Sequence, residues 1–388
     1  MLRLSLALIF IIFAWLPILT LQLTPQYWRY GPFNVAYSVT HPPATTTTTT
    51  APLLLLNGFG VGQFYQSNLV ASLSSSPIPP SAIYTLDYLG QGSSWPIDVP
   101  PTTTLDTVGT SPAELGVSYG VESWAQQVLD FIDAVVAPSG PIAIGGNSIG
   151  GHISLVLASR HPSRFSSLIL FNATPVWGGF GSKLPSFISS WDGILPAPKL
   201  ERALGYFLYD QIRDPRNVKI LMKECYANEG SYDGVIRGIV SSAANDGGHA
   251  AFGSILFSPG FPELKGFYSL FSSSESQYSH LSILGIYGLK DPWIDPRFGR
   301  RLFRSFEPTK LKRCELVSLS DVAHCPNSEA PVACAAIASR FLSGGRIRGE
   351  ETFVESHYDG ANTAALVEDY AQSKLDDAFC DSLQALLA

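Results

Sequence analysis

A short stretch around Ser148 constrains the fold of this chain more than any other. Residues 142–144 are an apolar run that predicts a buried strand, and residues 153–157 carry a helical pattern. Between them, Gly146-Asn-Ser-Ile-Gly150 fits the pattern G-x-S-x-G, in which a serine occupies a sharp turn from a strand to a helix. Glycine is needed on both sides because larger side chains would collide with the neighbouring backbone. The stretch therefore predicts a strand–turn–helix unit that presents the Ser148 hydroxyl above a sheet.

Composition places the chain among folded proteins with a large core. Of the 388 residues, 46% are hydrophobic and 15% are charged, and the net charge is −7. No long run of Lys or Arg occurs, which argues against a nucleic acid as partner. The five cysteines form no C-x-x-C pair, so neither a disulfide framework nor a zinc site is predicted.

The first segment, residues 1–24, is an apolar run after a single early Arg3. Such a run is typical of a signal peptide or of a signal anchor that stays in the membrane. Because Pro17 interrupts it, we favour a secretory-pathway or organelle-targeting signal over a permanent span. The anchor remains the alternative, and it would associate the protein with a membrane.

Strand patterns alternate with helical patterns along the remaining chain. Strands are predicted in an opening hairpin at 27–39 and in runs at 53–56, 82–87, 142–144, 167–172, 282–287 and 314–319. About 110 residues without a strand pattern separate 172 from 282, too many for a loop, and their helical spacing predicts a helical cap. We therefore predict a mostly parallel α/β sheet from residues 25–172 and 282–343. Residues 173–281 form the cap, inserted after the sixth strand, and residues 344–388 form a C-terminal extension.

Two further side chains stand where a serine nucleophile needs its partners. In an α/β-hydrolase the acid and the histidine follow the serine in that order, in loops at the carboxyl ends of strands. Asp291 follows the strand that ends at Tyr287, and His324 follows the strand that ends near Leu319. The order predicts the α/β-hydrolase fold, with Ser148 as nucleophile, His324 as general base and Asp291 as the group that orients the imidazole.

Hydroxyl attack on an acyl carbon creates an oxyanion, which needs N–H donors. The candidates are the Ile149 N–H at the helix start and the Phe59 N–H in the loop Asn57-Gly-Phe-Gly60. Three side chains and two N–H groups complete this chemistry, so we expect no cofactor and no metal. Asp295 is the alternative acid, and Asp87 is interpreted as a structural residue that caps a turn.

Six segments together resemble the pheophytinase and chlorophyll dephytylase group of α/β-hydrolases, which is chlorophyllase-like. They are residues 56–62, 87–96, 146–151, 171–177, 248–252 and 323–326. The resemblance extends from about residue 28 to 343. Asn147 and the run Asn-Ala-Thr-Pro-Val-Trp at 172–177 are more specific than the superfamily motifs. The chain departs from the pattern at Asn57, where the superfamily usually has His.

The resemblance implies hydrolysis of the phytyl ester of chlorophyll or pheophytin in the plastid, with release of phytol and chlorophyllide or pheophorbide. The partner would be a hydrophobic ester, a phytylated tetrapyrrole, held in an apolar chamber under the cap. Trp177, Phe180 and His249 are the expected lining, with a structural role as the alternative for His249. The alternative functions are a lipase, esterase or thioesterase for another hydrophobic acyl substrate, or a non-catalytic pigment carrier. The alternative compartment is the endoplasmic reticulum or secretory pathway.

Overall fold

The three-dimensional structure is a computed structural model. It describes residues 23–31, 33–96, 118–178, 191–195, 197–228, 232–245, 247–260, 264–271, 276–306, 311–345, 353–359 and 362–367. The apolar run predicted as a signal or anchor lies outside these ranges except for its last two residues. Among the helices of the described ranges, none is both long and apolar enough to cross a bilayer.

The described residues form a sheet of eleven strands. In chain order they are β1 Gln26–Tyr30, β2 Phe33–Thr40, β3 Leu53–Leu56, β4 Ile83–Leu86, β5 Trp95–Pro96, β6 Ile142–Asn147, β7 Phe165–Phe171, β8 Ser282–Gly288, β9 Arg313–Leu319, β10 Phe353–Asp359 and β11 Asn362–Val367. Their spatial order is β1-β2-β4-β3-β6-β7-β8-β9-β10-β11, and β5 pairs with β2. The strands from β4 to β10 in this order are mutually parallel, whereas β1, β2, β5 and β11 pair antiparallel. The sheet is mostly parallel, as predicted.

The α-helices of the described ranges accompany this sheet. They are α1 Ser67–Ser74, α2 Val121–Phe131, α3 Ile149–Arg160, α4 Lys199–Arg213, α5 Pro215–Cys225, α6 Asp233–Ala243, α7 Gly248–Phe257, α8 Leu264–Tyr268, α9 Pro296–Ser305, α10 Pro326–Glu329 and α11 Pro331–Leu342. Helices α4 to α8 lie between β7 and β8, within the segment predicted as the cap. This insertion follows the sixth strand if the two-residue β5 is not counted. The C-terminal extension was not predicted to contain strands, yet β10 and β11 lengthen the sheet at β9.

The four leucines of β3 show why the sheet is covered on both faces. Successive side chains of a strand point to opposite faces. Leu54 and Leu56 pack in one core together with residues of α2 and α3, whereas Leu53 and Leu55 pack in a second core with residues of α1 and α11. All four side chains are fully buried. An uninterrupted apolar run is therefore what a central strand of this sheet requires.

The parallel arrangement decides where the polar residues of the loops meet. Strands β3, β6, β7, β8 and β9 are neighbours and parallel, so their carboxyl ends lie at one edge of the sheet. The segments that follow these strands carry Phe59, Ser148, Asn172, Asp291 and His324. The fold thereby brings residues from five separate parts of the chain to one edge.

Candidate active site

Ser148 occupies a strained turn between β6 and α3. Its φ and ψ angles are 54° and −118°, in a region that residues other than glycine rarely adopt. The Ser148 N–H donates to the Phe171 carbonyl at 3.0 Å, and the Ser148 carbonyl accepts from the N–H groups of His152 and Thr174. Bonds to α3 and to the end of β7 therefore hold the turn in this conformation.

The glycines around Ser148 are required by close backbone contacts. A Cβ atom on Gly146 would lie 2.6 Å from the Gly150 carbonyl carbon, and one on Gly150 would lie 2.6 Å from the Leu56 carbonyl oxygen. A Cβ atom on Gly151 would lie 2.6 Å from the Cβ of Ala173. Contacts this short do not occur between real side chains and backbone, so the steric reason given for the motif is confirmed.

Asp291 and His324 form a buried pair. The Asp291 Oδ2 lies 2.7 Å from the His324 Nδ1, and both residues are less than a tenth exposed. The other oxygen, Oδ1, accepts from the backbone N–H groups of Trp293 at 2.8 Å and Ile294 at 2.9 Å. The His324 N–H donates to the carbonyl of Cys225 in the cap at 3.0 Å. Two backbone N–H groups thus hold the Asp291 carboxylate, and a backbone hydrogen bond to the cap holds the main chain of His324.

A buried asparagine, Asn172, supports this carboxylate from a third strand. The Asn172 Nδ2 donates to the Asp291 Oδ2 at 2.6 Å, and the Asn172 Oδ1 accepts from the Gly288 N–H at 2.8 Å. Its φ angle of 40° is one that asparagine tolerates better than most residues. The sequence offered only its position directly after β7 as a signal, and we did not predict this role.

The environment of His324 changes its proton affinity in two opposing ways. Burial lowers the pKa of His324, whereas the hydrogen bond and the negative charge of Asp291 raise it. The contributions from Asp291 and the neighbouring Cys325 together outweigh burial, so the pKa lies above its ordinary value of 6.5. An imidazole in this setting accepts a proton more readily than one in water.

The two other aspartates considered from the sequence have structural partners. The Asp295 Oδ1 accepts from the Arg297 N–H at 2.9 Å at the start of α9, and its carboxylate pairs with the Arg297 guanidinium. The Asp87 carboxylate is buried and accepts from the backbone N–H groups of Gln63 at 2.6 Å and Ser93 at 2.9 Å. Burial raises the pKa of Asp87 to about 7, although these two N–H groups lower it. Asp87 therefore braces two loops, as its interpretation as a structural residue predicts.

The loop after β3 passes close to the serine. A Cβ atom on Gly58 would lie 3.8 Å from the Ser148 Cβ, and the Gly60 N–H donates to the Gln91 Oε1 at 2.8 Å. Ile149 begins α3, where the helix dipole favours negative charge. The predicted donors, Phe59 and Ile149, thus belong to the two segments that border Ser148, and their role stays a prediction.

The side chain of Asn57, which replaces the usual histidine, is buried beside this loop. Its Nδ2 donates to the Leu86 carbonyl at 3.0 Å and contacts the Asp87 Oδ1 at 3.3 Å. The departure from the superfamily pattern therefore concerns a side chain that connects β3 to the end of β4.

Ser148 and His324 line a cavity of about 360 Å³ between the sheet edge and the cap. Most of the lining is apolar. From the loop after β3 it includes Gly58 and Phe59, and from the segment after β7 it includes Trp177. From helices α4, α5 and α6 it includes Ile212, Val218, Leu221, Met222, Val235 and Ile239. The cavity can therefore take a large apolar group with its reacting end at the serine.

The three residues expected to line this chamber have different outcomes. Trp177 does line it, and its ring centroid lies 5.0 Å from that of Phe59. Phe180 lies outside the described residues. The His249 side chain packs within the cap: its Nε2 lies 2.8 Å from the Asp210 Oδ1, and its ring stacks on Tyr206. A role of His249 in binding the substrate stays a prediction. The sequence pattern could not show which side of α7 this imidazole occupies.

Across the ranges that the structure describes, no group of three or more His, Cys, Asp or Glu side chains is arranged to hold a metal ion. The four cysteines in these ranges, Cys225, Cys314, Cys325 and Cys334, are buried and form no disulfide bonds. The chemistry proposed below uses side chains and backbone N–H groups alone.

A family model described as the alpha/beta hydrolase family matches residues 53–337. The chain belongs to the alpha/beta hydrolase family. The matched residues include β3, β6, β7, β8 and β9, the neighbouring parallel strands that the candidate residues follow. The predicted fold class is confirmed. The match also includes the whole segment predicted as the cap.

Relatives in the alpha/beta hydrolase family include several enzymes. The chain is 28% identical to pheophytinase, chloroplastic, from Arabidopsis thaliana over 72% of its length, and it spans 58% of that protein. It is 26% identical to a pimeloyl-[acyl-carrier protein] methyl ester esterase from Neisseria meningitidis, over 63% of this chain and 69% of the other. A thermophilic esterase from Thermogutta terrifontis shares the fold with a TM-score of 0.53 and 16% identity, over 83% of this chain and 98% of the other. The predicted resemblance to pheophytinase is confirmed, and the predicted class of carboxylic ester hydrolase agrees with these relatives.

Proposed function

We propose that the protein is a serine hydrolase of carboxylic esters whose substrate is the phytyl ester of chlorophyll or pheophytin. The products are phytol and chlorophyllide or pheophorbide. One observation carries the proposal: a strained serine and a histidine that is hydrogen-bonded to a buried aspartate line one apolar cavity. The His324 Nδ1 lies 2.7 Å from the Asp291 Oδ2, and Ser148 and His324 both face the cavity.

In the first half of the reaction, the Ser148 Oγ attacks the ester carbonyl carbon. The His324 Nδ1–H is donated to Asp291, so the neutral imidazole carries its lone pair on Nε2, the atom that accepts the serine proton. The imidazolium then donates this proton to the departing alkoxide oxygen, and phytol leaves. The negative charge of Asp291 stabilises the imidazolium while it exists.

The second half releases the acid from the serine. A water molecule attacks the acyl carbon of the acyl-enzyme, and its proton passes to His324. The resulting tetrahedral oxyanion then collapses, the bond to the Ser148 Oγ breaks, and the His324 imidazolium returns the proton to this oxygen, which releases the carboxylic acid and restores Ser148 and neutral His324. Both tetrahedral oxyanions accept hydrogen bonds from the N–H groups of Phe59 and Ile149. The position of Ile149 at the start of α3 adds the favourable end of the helix dipole.

The apolar lining supports a long hydrocarbon group as part of the substrate. Each CH₂ group buried against such side chains stabilises the complex by about 0.8 kcal/mol. The cavity volume of about 360 Å³ lies within the range of about 300–1,000 Å³ that is usual for ligand sites. The similarity to Arabidopsis pheophytinase over 72% of the chain supports a phytylated tetrapyrrole among the esters that would fit.

The decisive experiment is an assay on pigments with product identification. Purified protein is incubated with chlorophyll a or pheophytin a in detergent, and the products are separated by chromatography. We expect chlorophyllide or pheophorbide with the wild type and neither with Ser148→Ala. Absence of both products, or equal turnover by the alanine variant, would sink the proposal.

Hydrolysis of another hydrophobic acyl ester is the second candidate. It is favoured by the similarity to the methyl ester esterase of Neisseria meningitidis. Esters of p-nitrophenol with acyl chains of increasing length test it in parallel. Turnover of these esters combined with no turnover of either pigment would favour this candidate.

The plastid is the proposed compartment. The support is the name of the Arabidopsis relative, which is chloroplastic. Imaging of the full chain fused at its C-terminus to a fluorescent protein distinguishes plastids from the endoplasmic reticulum. Fluorescence confined to the reticulum would favour the secretory alternative.

A further inference from the structure

Four buried side chains form a continuous hydrogen-bonded network next to the candidate nucleophile. They are Tyr65, Gln66, Asn147 and Asn327, and none is more than 4% exposed. We call them the amide–tyrosine network. Asn147 directly precedes Ser148, and Asn327 follows His324 by three residues. The network therefore joins the turn that carries the serine to the loop that carries the histidine.

Asn147 makes the most direct connection. Its Nδ2 donates to the backbone carbonyl of His324 at 2.8 Å and to that of Phe171 at 3.1 Å. One amide group thus bonds to the backbone of the proposed base and to the end of β7. Since Asn147 and Ser148 are consecutive, these bonds fix the backbone of His324 relative to that of Ser148.

Tyr65 connects Asn147 to the rest of the network. Its hydroxyl donates to the Asn147 Oδ1 at 2.9 Å and has a second acceptor, the Asn327 Oδ1, at 3.3 Å. Burial raises the pKa of Tyr65 well above its ordinary value, with smaller contributions from the neighbouring Cys325 and Tyr226. The hydroxyl consequently stays protonated and remains a donor.

The Leu56 carbonyl at one end of the network determines which atoms of Gln66 and Asn327 donate and which accept. The Gln66 Nε2 donates to the Leu56 carbonyl at 3.2 Å, and a carbonyl can only accept. The Gln66 Oε1 must therefore accept, and the Asn327 Nδ2 donates to it at 3.1 Å. This leaves the Asn327 Oδ1 facing Tyr65. Leu56 ends β3, so the network also reaches the strand before the Phe59 loop.

Such an arrangement resists relative movement of the loops. The turn that carries Ser148, which we call the elbow, and the loop that carries His324 follow different strands, β6 and β9. Strands β7 and β8 lie between these two strands in the sheet. Moving one loop would break hydrogen bonds between polar side chains that are at most 4% exposed, and a buried polar group left without a partner is costly. The Ser–His distance is then set by short directional bonds as well as by apolar packing.

We propose that Asn147 and Tyr65 are positioning residues that hold the His324 loop in register with the serine turn. Their hydrogen bonds act through the backbone of the two loops and place the imidazole where it meets the Ser148 hydroxyl. This inference rests on the proposed roles of Ser148 and His324. It does not depend on which ester is the substrate.

Tyr65→Phe tests the proposal, because it removes one hydroxyl and leaves the ring. Tyr278→Phe is the matched control: Tyr278 is also 4% exposed, and its hydroxyl donates to the Ser159 carbonyl at 3.0 Å at the end of α3. The readouts are kcat and KM on p-nitrophenyl butyrate, the rate of labelling by a fluorophosphonate, and the thermal unfolding midpoint. For Tyr65→Phe we expect kcat and labelling to fall about tenfold while KM changes less than about twofold. The control should lower the midpoint to a similar degree and keep wild-type rates.

Asn147→Leu removes the whole connection at nearly constant volume, and we expect a loss of about 100-fold in kcat and in labelling. If this variant does not fold, the two tyrosine variants decide alone. Wild-type kcat and labelling in Tyr65→Phe, or a loss no larger than in Tyr278→Phe, would overturn the inference. Hydrolysis by Ser148→Ala at the wild-type rate would instead overturn the proposed function itself. The two failures are thus distinguishable.

Discussion

Gly150→Ala is the substitution whose consequence the structure specifies most closely. Gly150 is the second residue of α3 and the last glycine of the G-x-S-x-G motif. A Cβ atom there would lie 2.6 Å from the Leu56 carbonyl oxygen and 2.7 Å from that of Asn57. Both are backbone atoms, so no side-chain rotation relieves the overlap. The helix must move away from the end of β3, which leads into the Phe59 loop.

The magnitude follows from these distances. An ordinary contact begins at 3.4 Å, so α3 and β3 must separate by about 0.8 Å. A misplacement of about 1 Å in a catalytic arrangement can cost about 100-fold in rate. Overpacking typically costs about 1–3 kcal/mol of stability, while replacing a helical glycine by alanine gains about 1 kcal/mol. We therefore expect a loss of between about tenfold and 100-fold in kcat, with a free energy of unfolding reduced by at most about 2 kcal/mol.

Gly253→Ala provides the matched control. Gly253 lies in helix α7, and the nearest heavy atom to its added Cβ, the Gly205 Cα, is at an ordinary 3.9 Å. This variant should gain about 1 kcal/mol in the free energy of unfolding and keep wild-type activity. The assays are denaturant unfolding and fluorophosphonate labelling of the three proteins. If Gly150→Ala matched Gly253→Ala in both, the steric account of the elbow would be refuted.

Three further outcomes are expected. The acid limb of kcat/KM against pH should have its midpoint above 6.5, because His324 must be neutral to act as base and its contact with Asp291 raises its pKa against the effect of burial. Asp291→Asn should lower kcat about 10⁴-fold and move this limb to lower pH. A limb that stays at the wild-type pH in Asp291→Asn would contradict this. Burial raises the pKa of Asp87 from 3.8 to about 7, so between these pH values the folded state holds a proton that the unfolded chain has lost, and stability should fall as the pH rises from 3.8 to about 7. Unfolding midpoints measured against pH should fall less for Asp87→Asn than for the wild type. An equal fall in both proteins would count against a raised pKa of Asp87. Leu221→Trp should fill part of the cavity and lower kcat/KM for long-chain p-nitrophenyl esters at least about tenfold, while kcat/KM for p-nitrophenyl butyrate changes less than about twofold. An equal loss on both esters would argue against binding of the acyl chain in this cavity.

Much of the fold could be predicted because its determinants are local. The four consecutive leucines predict a strand at 53–56 that is buried on both faces, and the observed strand β3 has the same first and last residues. The glycines of the elbow announce a turn with no room for side chains, as the contacts of Gly146 and Gly150 show. The order of Ser148, Asp291 and His324 at the ends of strands placed all three at one edge of the sheet.

Other features could not be predicted because they depend on partners that are distant in the sequence. Asn172 and Asp291 are 119 residues apart, and nothing near Asn172 in the sequence indicates that its side chain holds a carboxylate. For His249 the sequence left two alternatives, a place in the chamber lining or a structural role, and only the structure shows that its Nε2 lies 2.8 Å from the Asp210 Oδ1.

The sequence was sufficient for the central parallel strands, the serine turn and the order of the candidate catalytic residues, because strand burial, backbone crowding and chain order are properties of short segments. It was not sufficient for β10 and β11, which lengthen the sheet at β9. The tertiary structure alone decided which polar side chains support that site. Asn147 bonds to the carbonyl of a residue 177 positions away, and Tyr65 contacts a residue 262 positions away. Buried hydrogen bonds need partners at fixed distances and angles, and that geometry exists only after the strands have assembled.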